Sequence, residues 1–137
     1  MKKILFLTLL LTAQLSQACP NFSGVYQMPG AKDKLVLAQS GCEKITRTLF
    51  FYRATDGGLA FVQTRDLILD GVMRADSEYP SVTTSWSFDV DGALYYQSNQ
   101  GSSKWALNPN GDIDFLTQSL STNGSVIWSV FQTAKHL

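Results

Sequence analysis

Histidine is nearly missing from this chain: there is one, His136, in 137 residues. A serine or cysteine nucleophile needs a nearby general base, and the Ser-rich stretches at Ser81 to Ser87 and Ser98 to Ser103 have no histidine partner. His136 reads as part of a tail. Charge of one sign is missing too, with 11 Lys plus Arg against 11 Asp plus Glu. Phosphate backbones are normally met by a clustered cationic excess, so no nucleic-acid partner is expected. Glycine-rich phosphate loops and dinucleotide fingerprints are absent, and no cofactor is expected. Apolar runs at helical spacing are also lacking after the first residues.

Met1-Lys2-Lys3 followed by Ile4 to Leu11 is a charged segment feeding a short apolar run, the pattern of a secretory signal peptide. The run is too short for a permanent membrane span. Ser16-Gln17-Ala18 puts small residues where cleavage after Ala18 requires them. The domain plan is therefore 1–18 as signal peptide and 19–137 as one extracytoplasmic domain, periplasmic or secreted. Without Lys2 and Lys3 that domain carries a net charge of −2. No later segment approaches spanning length, so no transmembrane segment is expected.

Cys19 and Cys42 both lie in the mature part. In an oxidising compartment they read first as one disulfide, worth about 3 kcal/mol for a loop of this size. The rival reading is lipid acylation of Cys19 at the cleavage point, which would anchor the protein to a membrane.

Apolar and polar residues alternate along the rest of the chain, with Asp-Gly, Asn-Gly and Ser-Gly pairs between the runs. This pattern predicts strands and hairpins near 22–28, 34–40, 44–53, 58–64, 67–73, 81–90, 93–98, 104–107, 112–118 and 126–133. An irregular stretch is expected at 74–80. A short motif occurs four times: Asp or Asn, Gly, any residue, an aliphatic, any residue, an aromatic. The copies begin at Asp56, Asp91, Asn110 and Asn123. The dipeptide suits the positive φ angles of a tight turn. The strand after it sends Leu59/Phe61, Leu94/Tyr96, Ile113/Phe115 and Val126/Trp128 to one shared face. The expected fold is all-β, an antiparallel up-and-down meander closing into a barrel of about 8–10 strands, because closure removes exposed edges. A β-sandwich is the alternative.

Phe22-Ser23-Gly24-Val25-Tyr26 resembles the Gly-x-Trp signature that opens the first strand of lipocalins and other calycin barrels, with Tyr26 standing where the Trp would be. The resemblance implies an aromatic floor at Tyr26, with a basic residue of the last strand, here Lys135, packed across it. It also implies a cup that holds a small, largely apolar molecule. The stretch from Met28 to Lys34 is too short for the helical pair that caps fatty-acid-binding proteins.

Alternation puts Tyr26, Phe61, Trp86, Tyr96, Phe115 and Trp128 on the apolar side of their strands, as ligand-lining residues or as filler of a solid core. Arg47 joins them, since Ile45, Leu49 and Phe51 share its face. A guanidinium there needs an acidic neighbour such as Glu43, access to water at a rim, or an anionic ligand. The pairs Asp89/Asp91 and Asp112/Asp114 have a spacing that suits metal or acid–base chemistry, but both sit beside predicted turns where Asp bonds its own backbone. No metal site is expected, and the protein is not expected to be an enzyme. Two functions follow: a binding protein with a small apolar or amphipathic ligand in the barrel, or a non-enzymatic structural and protein-interaction module of the cell envelope.

Overall fold

The computed structural model describes residues 19–76 and 79–137. The expected signal peptide, 1–18, lies outside the described residues. Ten strands follow from the alternating pattern: β1 (Gly24–Gln27), β2 (Lys34–Ser40), β3 (Lys44–Tyr52), β4 (Leu59–Ile68), β5 (Arg74–Ala75), β6 (Thr83–Phe88), β7 (Leu94–Ser98), β8 (Gly101–Leu107), β9 (Ile113–Leu120) and β10 (Val126–His136). No helix occurs among the described residues. Several expected boundaries are wrong: β8 starts at Gly101, β10 runs on to His136, Arg74–Ala75 is a strand inside the expected irregular stretch, and β4 continues through the expected break at 65–66. Thr64, Arg65 and Asp66 do not end a strand, because Thr64 and Asp66 hydrogen-bond Thr48 and Thr46 across β3. The chain turns instead at Asp70-Gly71, and 69–73 is not a strand.

All ten strands form one antiparallel sheet in the order β4-β3-β2-β1-β10-β9-β8-β7-β6-β5. Every strand lies beside its neighbour in sequence except β4 and β5, and the first and last strands pair through Tyr26↔His136 and Gln27↔Lys135. The sheet is not closed into a barrel, since no ladder joins β4 to β5 among the described residues. The open seam is crossed at one end by the connecting segment. Leu69 N–H donates to the carbonyl of Glu43, and Gly71 N–H donates to that of Trp86, both at 2.8 Å.

The core gathers at the β1 end. Phe22, Tyr26, Leu35, Leu37, Ile45, Leu94 and Ile113 are fully enclosed, each side chain contributing about 1.5–3 kcal/mol of burial. The Tyr26 hydroxyl donates to the Phe22 carbonyl at 2.9 Å. The residue packed across Tyr26 is His136, edge-on with centroids 5.2 Å apart, and not Lys135. Strand alternation is the reason: Lys135 projects from the other side of β10 and pairs with Asp112 at 3.2 Å. His136 is therefore no frayed tail, since its backbone N–H also donates to Asp112 at 2.9 Å. Cys19 and Cys42 are disulfide-bonded with Cα atoms 5.7 Å apart, tying the segment before β1 to the β2–β3 turn. Gln39 reinforces the tie by accepting from Phe22 N–H and donating to the Pro20 carbonyl.

Each repeated motif does mark a hairpin turn, with positive φ at Gly57, Gly92, Gly111 and Gly124. The preceding Asp or Asn keeps a negative φ, so each dipeptide supplies one left-handed residue and not two. In all four copies the turn is closed by paired backbone bonds, and in the last three these run as Gly92 N–H to Asp89 O and Asp89 N–H to Ala93 O do. That is the pattern of a tight turn followed by a glycine bulge. Leu94/Tyr96 and Ile113/Phe115 point from the shared face into the molecule. Phe61, opposite Phe51, and Trp128, in step with Val130 opposite Thr117, lie on the same face but are not enclosed. Phe61 is 56% exposed and Trp128 is 49% exposed, because the β3–β4 and β9–β10 hairpins extend past the short β1–β2 hairpin and nothing stands opposite them. Phe61 stacks on Phe51 instead, with centroids 4.3 Å apart.

Candidate functional site

Strands β3 to β10 all send side chains to one cavity of about 760 Å³, which requires the sheet to curl around it. The volume falls within the range of small-molecule pockets, roughly 300–1,000 Å³. One wall is aromatic. Trp86 meets Tyr96 at 4.8 Å, Trp105 stands edge-on to Trp86 at 5.1 Å, and Phe115 edge-on to Trp105 at 4.8 Å. The rings are locked by one another and by hydroxyls behind them. Trp105 Nε1 donates to Ser103 Oγ at 3.0 Å, and Ser103 Oγ lies 3.1 Å from Thr117 Oγ1.

The seam borders the same cavity. Residues 64–68 of β4 lie on one side of it, and Val72, Arg74, Ala75, Asp76, Thr84 and Ser85 on the other. Arg65 Nη1 bonds Asp76 Oδ2 at 2.5 Å, an ion pair that spans the gap where the ladder is missing. Arg47 lies directly beside Arg65, its cross-strand partner, and lines the same cavity. Its Nε is buried without a hydrogen-bond partner. Ion pairs among the described residues engage Arg53, Arg65, Arg74, Lys104 and Lys135, and Arg47 is in none of them. Burial first, and the neighbouring Arg65 charge second, lower the Arg47 pKa, while Tyr96 and Asp76 partly offset them. Leaving a buried donor unmade costs on the order of 1–3 kcal/mol.

Of the residues expected to line a site, Arg47, Trp86, Tyr96 and Phe115 converge on this cavity. Tyr26 does not line it, since it is sealed in the core at 1% exposure. Phe61 and Trp128 do not line it either, for the reason given above. Three contributors were not expected. Trp105 follows from the alternation Ser103, Trp105, Leu107, which a late strand start at Lys104 obscures. Arg65 and Asp76 fell at a supposed strand end and in a supposed irregular stretch, so nothing in their immediate sequence marked them.

The carboxylate pairs serve the hairpins. Asp89 Oδ1 accepts from Asp91 N–H and Ala93 N–H at 3.0 Å, and Lys104 lies 3.1 Å from its other oxygen. Asp114 accepts from the Thr133 hydroxyl at 2.8 Å, and Asp112 holds the end of β10. A second cavity of about 650 Å³ lies between the 29–32 turn, Tyr52 and Lys135. Its Arg53 is already paired with Asp56, and its Lys135 with Asp112.

No protein-family model, curated protein or solved structure matches the chain.

Proposed function

We propose that residues 19–137 act after export as a lipocalin-like binding protein whose curled sheet holds a small apolar or amphipathic molecule. The observation that carries this reading is an open volume of about 760 Å³ walled by Trp86, Trp105 and Phe115. A solid-core module has no use for such a space, which forfeits dispersion contacts along its lining. The Cys19–Cys42 disulfide supports an extracytoplasmic setting, and no described helix is long and apolar enough to cross a membrane. Titrating the protein with a panel of fatty acids, retinoids and haem-like compounds should change tryptophan fluorescence, and the change should be lost when both Trp86 and Trp105 are replaced by Phe. A flat response across the panel would remove the reading.

The second reading, an envelope interaction module, is favoured by β10. Beside β1 it is paired only at Lys135 and His136, so its edge from Val126 to Ala134 has no strand on that side. Ile127 and Phe131 there are 63% and 67% exposed, and the stretch contains no charge. Long uncharged edges favour pairing with another chain. Cross-linking in envelope preparations, lost on Phe131→Lys, tests it.

A further inference from the structure

We infer that the molecule held in this cavity is an amphipathic monocarboxylate, with its carboxylate on Arg47 at the β4/β5 seam and its apolar body on the aromatic wall. The inference rests on the binding reading above and adds the chemistry of the head group. The charged side chains lining the cavity are Arg47, Arg65, Arg74, Asp66 and Asp76. Most are already engaged. Arg65 is paired with Asp76 and Arg74 with Asp70, and Asp66, alternating with the buried Leu67, turns its carboxylate to the outer face, where it accepts the Thr46 hydroxyl at 2.8 Å. With the Asp66 carboxylate on the outer face, what remains inside among the described residues is the positive charge of Arg47, set beside a second guanidinium that raises the cost of leaving it unmatched. One negative charge balances it, whereas a phosphate dianion would leave an excess charge in a partly desolvated site.

The orphaned atom also selects geometry. Nε–H and the neighbouring Nη–H form the side-on fork that receives the two oxygens of a carboxylate in parallel bonds. Nε is the donor that lacks a partner, and because it is buried the Arg47 side chain has to turn to bring this fork to the cavity. The aromatic wall calls for little polarity, because the Trp105 Nε1, Ser103 and Thr117 groups satisfy one another. The ligand therefore needs one ionised head and an apolar body.

The test is calorimetric titration of protein produced from the full chain with lauric acid and lauryl alcohol, which share a tail and differ in the head. The acid should bind at least about tenfold more tightly than the alcohol, the margin of one charge-assisted contact. Arg47→Met, which keeps the bulk and removes the charge, should cost the acid about tenfold and bring the two ligands level. Arg47→Lys should restore only part of the difference, since an ammonium lacks the fork. Circular dichroism and unfolding curves confirm that the variants are folded. Equal affinity of the two ligands for the wild type, or equal weakening of both by Arg47→Met, overturns the carboxylate assignment and leaves the binding reading standing. Binding of neither overturns both.

Discussion

Arg47 and Arg65 stand opposite each other on β3 and β4, and the carboxylate of Asp76 is bonded to Arg65, leaving Arg47 with its Nε buried and unpaired. A buried guanidinium donor without a partner, beside a second guanidinium, is an arrangement that folding alone does not favour.

Removing the unpaired donor should stabilise the empty protein. Arg47→Met is expected to raise unfolding stability by about 1 kcal/mol, since it removes an orphaned donor and a like-charge neighbour while keeping the packing. Urea denaturation without ligand measures this. A loss of stability instead would mean that the guanidinium has a favourable partner in solution.

Asp112 makes the domain acid-sensitive. The His136 backbone N–H first, and the Lys135 ammonium after it, hold its carboxyl below the usual range despite some opposing burial. Because the folded-state pKa is depressed, the contribution is fully present above the unfolded value of about 3.9 and is lost as pH falls through the lower folded value. Asp112→Asn should flatten the decline of thermal midpoint below about pH 4. An unchanged acid profile would show that other carboxylates dominate it.

Reduction of the Cys19–Cys42 bridge should cost about 3 kcal/mol. The intact mass of the exported protein should lie two hydrogens below the free-thiol value. Added acyl mass on Cys19 would instead indicate a membrane anchor.

Two glycines give a graded pair. A Cβ at Gly101 would lie 2.2 Å from the Gln118 carbonyl oxygen, so Gly101→Ala must push β8 from β9 and should cost about 2–3 kcal/mol. Gly111 has φ +82° and open space around it, so Gly111→Ala should cost about 1–2 kcal/mol from backbone strain alone. Chemical denaturation of the two variants should show this order, and the reverse order would place the tighter constraint at the turn.

Much of the fold is legible in the sequence because two of its codes are local. Alternation reports which way a side chain points, and Asp-Gly or Asn-Gly reports where the chain turns. These place Arg47 with Ile45 and Leu49, and they send Trp86, Tyr96 and Phe115 inward. They do not report how far each hairpin extends beyond its neighbours, which is a property of the whole sheet. That is why Phe61 and Trp128, inward by alternation, stand in solvent. Nor do they reveal pairing between distant residues, so the Arg65–Asp76 bridge and the contact of Tyr26 with His136 emerge only from the fold.

The pairing of β1 with β10 also sets an order of assembly. Hairpins between consecutive strands need only short loops to close, whereas this ladder joins opposite ends of the domain and carries a larger loop-closure entropy. The hairpins are expected to form early and the Tyr26–His136 clasp late, with oxidation of Cys19 and Cys42 holding β1 in place for the last strand to find. A chain reduced during refolding should therefore be slowest, and most prone to stick to its neighbours through the unpaired edge of β10, in that final step.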